Sequence, residues 1–245
     1  MNIPSKAKTR LVTNVKKYKR VLTKAVSQDV NESDTVTVTT DMLSDIFGYD
    51  KYEEITSEFA IKKTFCDLAI KLNDQVKLLI EVKSVGTNLK DNHLKQATDY
   101  GANAGIDWVI LTNGVAWKVY RIIFSKPIEH ELVYEFDMTQ INTHKDEDLS
   151  LLYLLCRETI NKKNSNALDE YRQQKELLNK VMLGQIILSE PVLSTIRRTM
   201  KKVSAEAKVT KDEISEVISS EVIKRDVLED EKAEDYTKQI TRAIK

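Results

Sequence analysis

Three residues in the first half of the chain have the types and spacing for metal-assisted or acid–base chemistry: Asp67, Glu81 and Lys83. They lie in FCDLAIKLNDQVKLLIEVK, residues 65–83, two apolar segments joined by Asn73-Asp74-Gln75. Alternate side chains on a strand point to opposite faces. Cys66, Leu68 and Ile70 therefore share one face of the first strand, and Leu78, Ile80 and Val82 share one face of the second. The faces match when 66 lies opposite 82, 68 opposite 80 and 70 opposite 78. A three-residue loop gives that register, whereas a two-residue loop would set Asp67 opposite an apolar residue. The same register sets Asp67 opposite Glu81, with Lys83 two residues on.

Adjacent carboxylates repel unless one takes a proton or a cation intervenes. Oxygen ligands on a rigid hairpin suit Mg²⁺, with Mn²⁺ as its substitute, because Mg²⁺ needs few protein ligands and keeps several waters. Such an ion polarises a phosphate and lowers the pKa of a bound water. A neighbouring lysine stabilises developing charge or orients the attacking water. The other reading of these residues is a surface ion pair of Asp67 or Glu81 with Lys83.

The elements that must position this cluster follow from periodicity. Residues 4–28 read as an amphipathic helix with Leu11, Val15, Tyr18 and Leu22 on one side and many basic residues between them. Residues 33–47 read as a second helix, capped by Ser33 or Asp34 and ended by Gly48. Residues 52–61 are extended, residues 90–104 helical. WVILT and VAWKVYRI form a hairpin about Asn113-Gly114, and ELVYEF is a further strand. This order is an α/β pattern. From residue 147 strand patterns disappear, and Thr210-Lys211-Asp212-Glu213 is a capping box opening one of several helices. Residues 1–146 are thus expected to form one domain with a basic N-terminal helix, and 147–245 a helical region serving oligomerisation, DNA or partner contact.

The chain of 245 residues is 41% hydrophobic and 31% charged, enough for a core beneath a charged surface. Its 38 basic and 38 acidic residues cancel, which excludes a whole-protein basic footprint but not a local basic face. The start MNIPSKAKTR does not read as a secretory signal, and no apolar run suits a membrane span. Cys66 and Cys156 lack metal-ligand spacing, so a reducing cytoplasmic setting is expected.

Asp67 followed by Glu81-Val82-Lys83 at the end of the next apolar strand resembles the D…ExK core of the PD-(D/E)xK nuclease superfamily. CDLAIKL, KLLIEVKSVG, LKQATDYGANAGIDWVILTNGVAWKVYRI, in that order, resembles the N-terminal nuclease domain of type I restriction enzyme R subunits and related small restriction endonucleases. The resemblance spans roughly residues 30–125 and implies a restriction-endonuclease-like core, a mixed sheet flanked by helices. It implies that Asp67 and Glu81 bind Mg²⁺, with Glu32 as a supporting metal contact. Lys83 would position the water and stabilise the transition state. Gln96 and Tyr100, four apart on one helical face, match the family's QxxxY helix and would contact the site or the DNA backbone. Cys66 stands where the superfamily name has Pro and is expected to be inert in the core.

Lys16, Lys17 and Arg20 on the first helix and Arg197 and Arg198 further on are the candidate DNA-backbone contacts. Trp108 and Trp117 read as core residues rather than base-stacking platforms, and Thr112-Asn113-Gly114 as a turn, with a DNA contact as its alternative. His93, beside Asp91 and Asn92, reads as a surface residue at a helix start, and His130 and His144 are too isolated to ligate a metal. No GxxxxGK[ST] motif occurs, so translocation is expected from a helicase or another restriction-system subunit. The expected activity is Mg²⁺-dependent cleavage of DNA by a homodimer. The alternative is a non-catalytic DNA- or protein-binding module on a nuclease fold.

Overall fold

A computed structural model of the chain describes residues 2–61, 64–161, 167–206 and 208–244. It divides into two compact units, Met1–Ala167 and Leu168–Lys245.

The first unit begins with helix α1, Ser5–Ser27, which buries Leu11, Val15, Tyr18 and Leu22 as its period requires. Helix α2, Glu32–Asp45, is capped by Asn31, whose side chain accepts the Asp34 N–H, and not by Ser33 or Asp34. The cap falls two residues before Ser33 and three before Asp34, so Glu32 opens the helix, where the N-terminal dipole favours a carboxylate. Thr35 and Thr40 of α2 satisfy their hydroxyls on backbone carbonyls four residues back.

Six strands follow: β1 Ile55–Ile61, β2 Thr64–Leu72, β3 Gln75–Val82, then β4 Trp108–Thr112, β5 Ala116–Ile123 and β6 Glu129–Asp137. They form one sheet in chain order, antiparallel throughout except for β3 and β4. That parallel pair needs a crossover. It is supplied by a 3-10 turn, Asp91–Leu94, and helix α3, Lys95–Ala104. Gly101 lets α3 lie close to the sheet, since a Cβ there would meet Ile122 Cδ1 at 2.4 Å. The α3 side of the sheet is filled by Cys66, Ala69, Leu79, Leu94, Ala97, Tyr100, Val109 and Leu111.

Helices α4, Asp146–Tyr153, and α5, Arg157–Ile160, belong to this first unit, so the change to helices at 147 and the division into compact units do not coincide. The reason is a set of polar ties that no spacing reveals. Arg10 grips Glu158 with two hydrogen bonds, at 2.6 and 2.9 Å, and donates to the Ile46 carbonyl. The Arg157 N–H donates to Phe47 O, and Tyr49 Oη donates to Leu155 O.

The second unit is helical, as expected: α6 Ala167–Leu177, α7 Lys180–Ile187, α8 Glu190–Val203, α9 Lys211–Val217, a π turn Ile218–Val222, α10 Arg225–Leu228 and α11 Ala233–Ile244. Thr210 and Glu213 form the capping box at α9. Val181 and Met182 pack with Ala233 and Tyr236, and Leu193 with Ile214 and Ile218. No helix among the described residues is long and apolar enough to cross a membrane.

Arg10→Met removes the bidentate pair and leaves the Ile46 carbonyl without its donor. The expected loss is about 2 kcal/mol, held below the cost of a fully buried pair by the partial exposure of Glu158. Burial pushes the Glu158 carboxyl up, but Arg10 and Arg157 pull it below its ordinary value of 4.5. The stabilisation is therefore complete above pH 4.5 and lost as pH falls through the lowered value. Urea midpoints measured from pH 7 downward should show the difference between wild type and Arg10→Met shrinking as pH falls below 4.5 and through the lowered value, to the part owed to the Ile46 carbonyl.

Candidate active site

The β2–β3 hairpin reaches the expected register by a different route. The turn has two residues, Asn73 at φ 51° and Asp74 at φ 62°, left-handed at both central positions. Leu72 pairs with Gln75 and Lys71 with Val76; then a bulge between Ile70 and Lys71 shifts the ladder. Beyond it Ile70 faces Leu78, Ala69 faces Leu79 and Leu68 faces Ile80, as the apolar pattern required. The three-residue loop is thus corrected to a two-residue turn plus a bulge. Asn and Asp accept left-handed backbone, and the tight turn matches strand twist. The bulge absorbs the odd residue.

Past the Leu68–Ile80 pair the strands part. The expected Cys66–Val82 pair is not in the ladder. β3 continues on β4 instead, with Glu81 beside Leu111 and Val82 beside Thr112, and the Lys83 N–H donates to Thr112 O at 2.8 Å. The Val82 N–H, left without a strand partner on the β2 side, donates to Asp67 Oδ2 at 2.7 Å. The Asp67 side chain thus takes the place of a backbone acceptor and is fixed at the fork.

Glu81 is only 7% exposed. Its Oε1 accepts from Lys83 Nζ at 2.7 Å, while its Oε2 is buried with no hydrogen-bond partner among the described residues. Glu32, at the first turn of α2, comes within 3.5 Å of the same Nζ. Burial raises the pKa of Glu81, and Asp67 and Glu32 add to the rise against the opposing pull of Lys83. Burial likewise raises Asp67, against the Val82 N–H and Lys83. Desolvation works against the Lys83 ammonium, yet Glu81, Asp67 and Glu32 together hold its pKa above the ordinary value. The ion pair expected as one reading does form between Glu81 and Lys83, but it is no surface pair. Ala69 and Leu79 are fully buried, so the hairpin is covered on both faces.

The structure brings Asp67, Glu81, Lys83 and Glu32 together. Asp67 and Glu81 are the oxygen donors a hard cation could share, and the unpartnered Glu81 Oε2 is a vacancy in hydrogen bonding that a cation would fill. Among the described residues no group of three or more His, Cys, Asp and Glu side chains is assembled for a metal, and Glu32 engages Lys83 instead. Gln96 belongs to α3, but its side chain lies outside the described residues. Tyr100 is buried among Cys66, Ala69 and Leu79, beneath the face that carries Asp67 and Glu81, and burial pushes its pKa up to about 12.

Cys66 is buried and its thiol pushed up to about 12 by desolvation, so it is inert at neutral pH. Trp117 is fully buried and donates to Gly114 O, and Trp108 is buried with the Arg121 guanidinium over its ring. Lys16 and Arg20 are exposed on α1, while Lys17 is paired with Asp45 at 2.7 Å. In the second unit Arg198 is exposed, and Arg197 is half-buried and donates to Val209 O.

The geometry defines a mixed-sheet α/β domain with two carboxylates and a lysine at a strand fork. Residues 38–135 match the family model described as type I restriction enzyme R protein N terminus (HSDR_N). The matched segment is less than half of the chain. It holds β1 to β5, all but the last two residues of β6, α3, Asp67, Glu81 and Lys83, and it leaves out α1 and Glu32. This similarity supports a restriction-enzyme N-terminal domain and involvement in a restriction system. No curated protein and no solved structure matches the chain.

Asp67→Asn keeps an acceptor for the Val82 N–H and removes one charge from a set of three carboxylates, of which Glu81 is buried, Asp67 half-buried and Glu32 exposed. Its thermal midpoint in chelator is expected to rise by about 2–4 °C, because sites that crowd like charge are unstable when empty. Scanning calorimetry of both proteins checks this.

Proposed function

We propose that the first unit is a metal-dependent DNA endonuclease of restriction type, built on the PD-(D/E)xK pattern. The observation that carries this reading is the fork. Two carboxylates and a lysine are held there by backbone and burial, and one carboxylate oxygen is left unpartnered. The similarity of residues 38–135 to a restriction-enzyme N terminus supports the choice of substrate.

In this reading Asp67 and Glu81 would hold Mg²⁺ or Mn²⁺, which supplies charge neutralisation on the scissile phosphate and a more acidic water when bound. Lys83, held by Glu81 and Glu32, presents a cation to the charge that grows on phosphorus-bound oxygens during in-line attack. Glu32 keeps the ammonium charged and in place. Tyr100 on α3 packs under the site, and Gln96 on the same helix would contact the site or the DNA backbone. Lys16 and Arg20 are exposed and offer phosphate contacts along α1. Lys17 already has Asp45, so its share is smaller. Arg198 offers a further contact and Arg197 a lesser one. A homodimer would place two sites on two strands, and a translocating subunit would supply movement along DNA.

One observation favours a second reading. Lys83 already pairs with Glu81 and Glu32, so part of the carboxylate charge is met without a metal ion, as a non-catalytic binding module would require.

Supercoiled plasmid with Mn²⁺ separates the two. Wild type is expected to nick or linearise it, and Asp67→Ala and Lys83→Ala to fall at least about a hundredfold. Titration calorimetry should show Mn²⁺ binding to wild type that Asp67→Ala loses. No cutting together with no Mn²⁺ binding would select the binding module.

A further inference from the structure

Lys83 is the first residue past β3, and the segment Ser84–Thr87 that follows it belongs to no helix or strand. The segment closes on itself: the Thr87 N–H meets Ser84 O at 2.9 Å, and the two hydroxyls lie 2.7 Å apart. What fixes it to the rest of the domain is the side chain of Asn113, in the β4–β5 turn. Asn113 is 8% exposed. Its Oδ1 accepts the N–H groups of Val115 and Ala116, at 3.1 and 2.7 Å. Its Nδ2 donates to Val85 O and Thr87 O, at 3.2 and 3.0 Å. Both donors and the acceptor are committed, so the carboxamide has no capacity left to read a base.

The two halves of this side chain do different work. An Asx turn needs only the oxygen. The two nitrogen donors are surplus to the turn, and both reach across to the segment after Lys83. The preceding residue, Thr112, holds the Lys83 N–H through its carbonyl. Neighbouring residues of one turn therefore fasten the chain at 83, 85 and 87. On the other side of the segment, a Cβ on Gly86 would come within 2.6 Å of Asp29 Oδ1. Asp29 lies three residues before Glu32, which meets Lys83.

We infer that Asn113 is a positioning residue for Lys83: its carboxamide sets the path of the Ser84–Thr87 segment and with it the place of the ammonium beside Glu81. The inference rests on the nuclease reading for its effect on rate, but its structural part is independent of that reading.

Asn113→Asp tests it, because the carboxylate keeps both turn contacts and loses both donors. The expected result is a kcat for plasmid nicking reduced about ten- to a hundredfold with KM for DNA unchanged. Amide exchange should quicken from Lys83 to Leu89 while β4 and β5 stay protected. Wild-type kcat in Asn113→Asp, or exchange that rises equally in the strands, would overturn the inference. If wild type itself does not cut, the nuclease reading falls, and the exchange pattern alone decides the clamp. Should Asn113→Asp fail to fold, Asn113→Ser keeps an oxygen acceptor for the turn and removes both donors. The same fall in kcat with KM unchanged is expected, and a wild-type kcat in Asn113→Ser would overturn the inference.

Discussion

The fork between β2 and β3 depends on one hydrogen bond, from the Val82 N–H to Asp67 Oδ2. A buried backbone N–H must find an acceptor. β2 stops supplying one after Leu68, and β3 has turned to β4 for its other edge. The Asp67 carboxylate fills the place, so a polar side chain is needed there for the fold as much as for chemistry. Everything else at the site is arranged about that opening. Glu81 is buried because the sheet continues on its far side. Lys83 is near because β3 ends at Val82 and Lys83 follows it directly. Glu32 is near because Asn31 starts α2 where it does.

The surrounding ties explain why a chemically costly cluster is tolerated. Three carboxylates share one lysine, and burial disfavours the charge of the two at the fork. Such a set persists only where neighbours hold it. The packing of α3 on the sheet, made close by Gly101, supports one face. The Arg10–Glu158 pair joins α1 to α5 and, through the Ile46 carbonyl, to the end of α2.

Apolar periodicity carried much of this in the sequence. The strand Trp108–Thr112 has the bounds that its composition suggested, and the pairs 68–80 and 70–78 follow from side chains that must share a face. Alternation, however, specifies register without saying how the turn achieves it, so the bulge beside Lys71 was hidden. Nor does it show how deeply the second face is covered: a surface ion pair was one reading of it, while Ala69 and Leu79 lie buried. Long-range polar ties were invisible because no local spacing encodes them. Arg10 and Glu158 are far apart in the chain, and Asn113 reads as a turn residue until its two nitrogen donors are followed to Val85 and Thr87.

The tight turn with its compensating bulge has a consequence for how this hairpin can change length. Which side of the sheet a carboxylate occupies is a matter of parity, counted along the chain between Asp67 and Glu81. One residue gained or lost in that stretch reverses the parity unless a second irregularity absorbs it, and would carry one carboxylate through the sheet to its opposite side. Two residues gained together would lengthen the tip and leave the pair where it is. The tip is therefore free to vary only in even steps, and the bulge records one odd step already accommodated.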